Sequence, residues 1–206
     1  LRHGYTQVAD FHYLHHDIDG QPYSDVGELA GRIASAVDQT GIGLTLLPVF
    51  YAHSTFGGAN PVDGQKRFIC NIDQFTKLVE RSREIIRPLD NANLGIAPHS
   101  LRAVTPDEHA QVIKLSKNEP IHMHVAEQTK EVDDCMAWSK ARPMQWLLDH
   151  APVNERWCAI HATHLNDDEL RRIASTGAVA GLCPITEANL GDGIFNTDQF
   201  LDLNGS

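Results

Sequence analysis

Two short stretches of the sequence place side chains that can bind a metal ion or carry a proton directly after an apolar run. One is IHMHVAEQ at residues 121–128, and the other is CAIHATH at residues 158–164. Both apolar runs predict short buried strands. In parallel α/β proteins the carboxyl ends of the strands form the floor of the active site, so His124 and Glu127 suggest a metal ligand and a proton carrier.

A second interpretation of the same residues stays open at this point. His122 and His124 are then hydrogen-bonded core histidines, and Glu127 caps a helix. The chain contains twelve histidines, several of them at the ends of predicted strands. Because histidine is the commonest metal ligand in proteins, this distribution favours a metal site without specifying one.

Composition limits the classes of function. The chain has 206 residues, of which 42% are hydrophobic and 21% are charged, as expected for a globular protein with a sizeable core. The formal net charge of -10 argues against a nucleic-acid or anionic-membrane partner, since either would require a basic face. The sequence shows no apolar run of membrane-spanning length and no signal peptide, so we expect a cytoplasmic protein.

The cysteines do not suggest a disulfide scaffold or a structural zinc site. They are widely spaced and lack any C-x-x-C pair: Cys70, Cys135, Cys158 and Cys183. Two of them lie in apolar, strand-like runs, where a buried thiol behaves as a small hydrophobe. We predict that all four are reduced.

Hydrophobic periodicity predicts an alternation of strands and helices without a linker. The predicted strands are residues 4–13, with Val8, Ala9 and Phe11 inside, 42–50, 94–98, 121–126, 157–162 and 178–183. The predicted helices are 25–40 capped by Ser24, 73–86, a helix from Thr105 to about Ser116 with threonine at the cap, 141–150 and 167–175. This alternation indicates a parallel sheet with right-handed crossovers.

A barrel explains the pattern better than an open sheet, because polar groups follow nearly every strand. Six strands are fewer than the eight of a closed barrel. Either the sheet is open, or strands are missing at the ends of the chain. The chain begins with Leu1-Arg2-His3 and ends with Asn204-Gly205-Ser206, and from these termini we expect part of a longer protein.

Five segments together resemble the formimidoylglutamate deiminases of the amidohydrolase superfamily. They are GYTQVADFHYLHHD (4–17), APHSLRAVTP (97–106), HMHVAEQTKEVDDC (122–135), HATHL (161–165) and GLCPITEANLGDGIF (181–195). HVAEQ and HATHL alone indicate only the deaminase-like branch of the superfamily. FHYLHH, APHSLRAV and CPITEANLGDGIF make the resemblance much more specific.

The resemblance implies a (β/α)8 TIM-type barrel, present here as one partial domain, residues 1–206, covering about strands 2 to 7. It implies one divalent metal ion, usually zinc, with His124 as the ligand from the fifth strand. Glu127 corresponds to the glutamate that moves protons between the attacking water and the leaving nitrogen. His161 corresponds to the sixth-strand histidine that steadies the water or the tetrahedral intermediate. The family's H-x-H pair and its aspartate ligand lie outside this sequence.

The implied substrate, N-formimino-L-glutamate, carries two carboxylates, so its site should present cationic and hydroxyl donors. Arg102 is the best candidate, because a guanidinium group binds a carboxylate through two parallel hydrogen bonds. Tyr13 can donate from its hydroxyl, and His99 can contact the substrate or the attacking water. The alternatives are that Arg102 pairs with an acid such as Asp107 and that Tyr13 packs at the mouth of the barrel.

Three other groups of polar residues have simpler interpretations. The histidines at positions 12, 15 and 16 resemble a metal cluster, but their spacing favours a loop that shapes the substrate pocket. His164 is expected to point away from His161 and to have a supporting or structural role. Glu187, Asn189 and Asp192 are candidates to line the site, and Gly191 and Gly193 are expected to allow a tight turn.

The resemblance implies an enzyme that hydrolyses the linear amidine of N-formimino-L-glutamate to N-formyl-L-glutamate and ammonia. A related deaminase acting on a purine such as guanine or an adenosine derivative is the alternative within the superfamily. A catalytically incomplete barrel fragment is the alternative outside enzymes, and we expect the 206 residues alone to be inactive. We also predict a homodimer.

Overall fold

The computed structural model describes residues 3–206 as an α/β protein whose sheets are parallel. Leu1 and Arg2, where the predicted domain begins, lie outside the described residues. The chain forms two compact units, one that ends at Pro120 and one that spans Ile121–Ser206. Each unit contains one set of paired strands with helices between them.

The first unit is built around its second strand. Its elements are β1 (Gln7–His12), α1 (Glu28–Thr40), β2 (Gly43–Phe50), a 3₁₀ turn (Asp63–Gln65), α2 (Ile72–Ile86), β3 (Ala92–Leu94), β4 (Ala97–Pro98) and α3 (Pro106–Ile113). β2 pairs in parallel with β1 and also with both β3 and β4. Six of its eight residues are buried and apolar: Leu44, Leu46, Leu47, Pro48, Val49 and Phe50. Such a continuous apolar run is typical of a strand covered on both faces.

The first strand was predicted at residues 4–13 and is shorter in the structure. Two of its three predicted core residues are exposed. β1 begins at Gln7, and Val8 is 39% exposed. Ala9 is exposed as well, whereas Phe11 is half-buried. Within its sheet β1 pairs with β2 alone and lies at the edge of the strand order, so its first residues have little to pack against.

The start of α1 also differs from the prediction. The helix begins at Glu28 and not at Asp25, and Ser24 does not cap it. Asp25 forms a turn ahead of the helix, since its Oδ1 accepts the Gly27 amide hydrogen at 2.8 Å. Arg81 donates to both Asp25 oxygens, and this hydrogen bonding holds the pKa of the Asp25 carboxyl below its usual value. A long-range ion pair thus displaces the local cap.

The predicted threonine cap of α3 is confirmed. Thr105 Oγ1 accepts the Glu108 amide hydrogen, and Glu108 Oε2 accepts hydrogens from the Thr105 amide and hydroxyl at 2.8 Å. This reciprocal arrangement satisfies amide groups that have no partner inside the helix. Local sequence was sufficient for the prediction because every group involved lies within four residues.

The predicted strand at 94–98 is divided into β3 and β4 around Gly95. A Cβ atom at Gly95 would lie 2.5 Å from Leu47 Cδ2 and 2.8 Å from the Pro120 carbonyl oxygen. Only glycine fits that approach without a shift of the backbone. The interruption therefore follows from contacts distant in sequence.

The second unit contains three parallel strands and five helices. They are β5 (Ile121–Val125), α4 (Thr129–Ser139), α5 (Pro143–His150), β6 (Trp157–His161), α6 (Asp167–Thr176), β7 (Val179–Gly181), α7 (Pro184–Leu190) and α8 (Thr197–Asp202). β6 lies between β5 and β7 and aligns Val125 with His161. Ile121, Met123 and Val125 form the buried face of β5, while His122 and His124 share its half-buried face.

The sequence interpretation missed three helices of this unit and overestimated β7. Helix α4 was missed because four of its eleven residues are charged. Helices α7 and α8 are only seven and six residues long and follow glycine- or asparagine-rich segments. Short helices depend on packing more than on local propensity, so their periodicity is weak.

Candidate active site

The turn after β5 is fixed by a buried glutamate that the sequence interpretation did not single out. Glu131, 4% exposed, accepts the amide hydrogens of Ala126 and Glu127 at 3.1 and 3.0 Å. Ala126 has a positive φ of 51°. The residue that accepts amide hydrogens ahead of α4 is thus Glu131 and not Glu127. Glu131 lies three residues after Gln128, a spacing that could have indicated its role.

The turn after β6 holds two successive residues at positive φ. His161 has φ 68° and Ala162 has φ 50°. The Ala162 amide donates to the Val125 carbonyl at 3.1 Å, and the His164 amide donates to the Ala126 carbonyl at 3.0 Å. These two hydrogen bonds connect the turn after β5 to the turn after β6. Positive φ costs a residue other than glycine about 1–3 kcal/mol, and residues with positive φ are concentrated at functional sites.

These turns bring His124, Glu127 and His161 together. The His124 and His161 rings are stacked, with centroids 5.4 Å apart and planes inclined by 15°. Glu127 Oε1 lies 3.3 Å from His161 Nε2. His161 is buried, and Glu127 retains 14% of its side-chain exposure. The second unit thus contains a cluster of two imidazoles and one carboxylate that suits metal binding and proton transfer.

Glu187 in α7 adds a second carboxylate to this cluster. Its Oε1 lies 3.0 Å from His161 Nδ1 and accepts the Cys183 amide hydrogen at 2.8 Å. His161 thus lies between two carboxylates: Nδ1 is hydrogen-bonded to Glu187, and Nε2 lies 3.3 Å from Glu127 Oε1. Of the three predicted lining residues in this segment, Glu187 joins the cluster and Asn189 is exposed.

Cys183 is a residue of this site that sequence reasoning took for an ordinary buried hydrophobe. Ligand atoms of His161, Cys183 and Glu187 all lie within 4.8 Å of one another. One nitrogen, one sulfur and one oxygen form a donor set that zinc accepts. Burial raises the pKa of the Cys183 thiol, and the charges of Glu187 and Glu127 raise it further, so the thiol is protonated at neutral pH.

The predicted supporting role of His164 agrees with its contacts. Its Nε2 lies 2.7 Å from the Asp192 carbonyl oxygen, and its own carbonyl accepts a hydrogen bond from Arg142. Asp192 is 8% exposed, and its Oδ2 has no hydrogen-bond partner among the described residues. Gly191 ends α7 with φ 71°, as the predicted tight turn requires.

Arg102 lies in the first unit with an unused donor. Its Nε is buried and has no hydrogen-bond partner in the part of the chain that the structure describes. Asp107 is exposed, and no ion pair joins it to Arg102 within residues 3–206. An unpaired guanidinium nitrogen away from water has a cost that an incoming carboxylate would remove.

The other two candidates for substrate binding in this unit already have aromatic neighbours. Tyr13 is 42% exposed, and its ring meets Phe68 edge to face at 5.4 Å. The His99 ring lies 4.5 Å from that of Tyr51, and its Nδ1 is 2.9 Å from Ser100 Oγ. Both contacts orient the side chains, and Tyr13 remains partly exposed.

The histidines at positions 12, 15 and 16 have the partners of structural residues. His15 Nε2 lies 2.8 Å from the Val49 carbonyl oxygen, and His16 Nε2 lies 2.8 Å from that of Ile69. Burial lowers the pKa of His12 to about 4 and that of His15 to about 3. His12 and His15 are therefore neutral at pH 7, and the contacts agree with the predicted loop.

All four cysteines of the chain are free thiols, as predicted. Burial raises the pKa of Cys70 to about 12 and that of Cys135 and Cys158 to about 11. Among residues 3–206, no helix combines the length and apolar character needed to cross a membrane.

The sequence matches the model of the amidohydrolase family over residues 1–205. The chain belongs to the amidohydrolase family. It is 52% identical over 208 aligned positions to the formimidoylglutamate deiminase of Pseudomonas aeruginosa, an alignment that covers 100% of this chain and 45% of that protein. The chain therefore spans less than half the length of this relative.

Solved structures agree with the family assignment. The amidohydrolase from Brucella melitensis superimposes with a TM-score of 0.97 at 57% identity, over 98% of this chain and 45% of that one. An adenosine deaminase from Xanthomonas campestris, solved with bound zinc, gives a TM-score of 0.72 at 22% identity, over 85% of this chain and 38% of that one. At that identity the second comparison shows a shared fold alone. The predicted α/β class and amidohydrolase (TIM-barrel superfamily) fold are confirmed.

Proposed function

We propose that this amidohydrolase hydrolyses N-formimino-L-glutamate to N-formyl-L-glutamate and ammonia. The observation that carries the proposal is the cluster of His124, Glu127 and His161 at the ends of two adjacent parallel strands. The relative at 52% identity, named formimidoylglutamate deiminase, supports this choice of substrate. We also propose that residues 1–206 belong to a single (β/α) barrel domain, which the family match over residues 1–205 supports.

One divalent metal ion, zinc, is proposed as the cofactor, with His124 as a ligand. An imidazole at the end of a parallel strand, beside a carboxylate and a second imidazole, is a donor set that zinc accepts. The other ligands implied by the resemblance lie outside the 206 residues. A bound zinc ion supplies the Lewis acidity that makes water a nucleophile at neutral pH.

Glu127 is proposed as the group that moves the proton. Its carboxylate takes a proton from the attacking water as the water oxygen bonds to the formimino carbon. That proton passes to the imino nitrogen and gives an intermediate with one hydroxyl and one terminal amino group. Glu127 then moves the hydroxyl proton to the amino nitrogen, the carbon–nitrogen bond breaks, and ammonia leaves as the carbonyl of the formyl group forms. A positioned general acid–base group of this kind contributes on the order of 10²- to 10⁴-fold to the rate.

His161 is proposed to steady the tetrahedral intermediate next to Glu127. Its Nε2 lies 3.3 Å from Glu127 Oε1, which supports a role beside the proposed proton carrier. The stacked His124 ring limits the tilt of the imidazole. A fixed ring nitrogen that accepts a hydrogen bond from the hydroxyl of the intermediate needs no reorganisation during the reaction.

Arg102, Tyr13 and His99 are proposed to bind the substrate. The buried, unpartnered Nε of Arg102 supports a carboxylate partner, because a guanidinium group binds a carboxylate with two hydrogen bonds. Tyr13 has an accessible side chain, and His99 is held by Tyr51 and Ser100. A dicarboxylic acid fits this set better than a purine, which needs stacking and amide groups.

The test is ammonia release by the protein expressed from its complete coding region. N-formimino-L-glutamate, guanine and adenosine are compared as substrates, and the metal content of the same sample is measured. We expect release from the formimino acid and one equivalent of zinc. Release from a purine alone would contradict the substrate, and an active protein without metal would contradict the cofactor.

The 206 residues alone are expected to release no ammonia from any of the three substrates. Homodimerisation and a cytoplasmic location stay predictions, which analytical ultracentrifugation of the full-length protein and cell fractionation would test.

A further inference from the structure

Glu187 holds a buried side chain against the proposed catalytic histidine, and none of the roles described above includes it. We infer that Glu187 is a positioning residue that fixes the orientation and the tautomer of His161. The inference rests on the proposed function for its effect on turnover, but its structural part can be tested without any substrate.

The contacts of Glu187 show why it can hold the ring. Its side chain is 8% exposed, and its Oε1 lies 3.0 Å from His161 Nδ1. The same oxygen accepts the Cys183 amide hydrogen at 2.8 Å, which ties the carboxylate to the start of α7. A buried carboxylate that accepts two hydrogen bonds on one oxygen is anchored in position.

The chemistry of the pair determines the tautomer. An ionised carboxylate can only accept hydrogen bonds, so the ring nitrogen facing Glu187 must carry a hydrogen. Nδ1–H is therefore directed at Glu187, and Nε2 is the ring nitrogen that faces Glu127 at 3.3 Å. Both ring nitrogens lie near a carboxylate, but only Nδ1 makes a hydrogen bond, so the contact with Glu187 selects the tautomer.

The backbone at this position gives the ring few other constraints. His161 is the last residue of β6 and has a positive φ of 68°, where the chain leaves the sheet. Stacking on His124 restrains the plane of the ring but not which edge of the ring faces Glu187. A 180° flip of the ring would place Cδ2 where Nδ1 lies, which would preserve the stacking and lose the hydrogen bond to Glu187.

A competing interpretation is that Glu187 is a metal ligand. His161, Cys183 and Glu187 have ligand atoms within 4.8 Å of one another, and their donor types suit zinc. The hydrogen bonds favour the positioning role, since Glu187 Oε1 is already shared between the ring nitrogen and the Cys183 amide. The two interpretations differ in what removal of the carboxylate does to the bound metal.

The experiment compares Glu187→Ala and Glu187→Gln in the protein expressed from its complete coding region. Outer partners of catalytic histidines typically change activity by about 10- to 100-fold, so we expect Glu187→Ala to lower kcat by that factor with little change in KM. Glu187→Gln keeps an oxygen that can accept from Nδ1, so it should lose less. Metal content should equal that of the wild type in both variants.

The structural readout is a long-range ¹H–¹⁵N spectrum of the His161 ring. In the wild type we expect a hydrogen on Nδ1, and in Glu187→Ala we expect a mixture or the Nε2–H tautomer. Glu169→Gln is the matched control, because Glu169 is an equally buried glutamate of the same unit whose partner is Arg142 at 2.7 Å. It should lower the melting temperature without altering the His161 ring signals.

Three outcomes overturn the inference: unchanged ring signals in Glu187→Ala, unchanged kcat in a folded Glu187→Ala protein that otherwise turns over, or loss of an equivalent of bound metal. If the wild type releases no ammonia from N-formimino-L-glutamate, the proposed function fails, and the ring spectra still decide the role of Glu187.

Discussion

Two histidine clusters, one in each unit, show how the partner of an imidazole determines its role. At the ends of β5 and β6, His161 lies between two carboxylates, of which Glu187 accepts a hydrogen bond from its ring, and it is stacked on His124. After β1, His15 and His16 are hydrogen-bonded to backbone carbonyl oxygens. A carboxylate can exchange a proton with the ring, whereas a carbonyl oxygen only orients it. These partners support the proposed catalytic role of the first cluster and a structural role for the second.

The largest expected effect comes from Glu127→Gln in the full-length protein. The amide keeps the shape of the side chain but cannot take a proton, so kcat for ammonia release should fall by on the order of 10²- to 10⁴-fold. Steady-state ammonia assays measure this, with circular dichroism to verify folding. A loss of less than about 10-fold would place the proton carrier elsewhere.

Arg102→Met should lower activity by less than Glu127→Gln does, because it should weaken substrate binding and leave the proton carrier intact. A hydrogen bond to a charged group contributes about 1.5–3 kcal/mol, which corresponds to a loss of about 10- to 150-fold in kcat/KM for N-formimino-L-glutamate. The loss should appear mainly in KM. The control is the amidine substrate without its carboxylates, for which wild type and variant should be equal; a KM that does not change would exclude Arg102 from binding.

His15, in the cluster after β1, should make the free energy of unfolding depend on pH. The pKa of His15 is about 3 in the folded protein because of burial, against an ordinary value of 6.5, so the unfolded chain binds the proton first. The free energy of unfolding should therefore fall as pH decreases from about 6.5 towards 4, and should not depend on this residue above about pH 7.

His15→Gln isolates that contribution, because a glutamine amide can still donate to the Val49 carbonyl but does not titrate. Urea denaturation at several pH values should give a shallower dependence for the variant, by up to one proton, or about 1.4 kcal/mol per pH unit. Equal slopes would mean that His15 is not buried in its neutral form. Turnover at pH 7 should change far less than in Glu127→Gln.

The smallest effect is expected for Thr105→Ala, at the capping box of α3. Loss of the cap should lower the free energy of unfolding by about 1 kcal/mol, measured by urea denaturation at pH 7. Thr105→Ser is the control, because serine keeps the hydroxyl that accepts the Glu108 amide hydrogen, and it should be nearly neutral. An equal loss in both variants would assign the effect to the methyl group.

Features that depend on neighbouring residues were predictable. The capping box of Thr105 and Glu108 forms within four residues, and the apolar run of β2 needs only burial on both faces. The residues proposed for metal binding and catalysis, His124, Glu127 and His161, also lie at or just after the ends of strands that periodicity identifies. The predicted element boundaries were wrong where a residue distant in sequence affects the backbone. Arg81 does so at Asp25, ahead of α1, and Leu47 does so at Gly95, between β3 and β4.

The sequence by itself determined the strand and helix alternation, the family, and the identity of the groups able to bind metal and move protons, because these depend on local pattern and residue type. Only the tertiary structure decided their partners. Parallel pairing of β5 and β6 aligns Val125 with His161, and α7 brings Glu187, 26 residues further along the chain, to His161 Nδ1. Contacts of that range arise from how the elements pack, and no spacing along the chain encodes them.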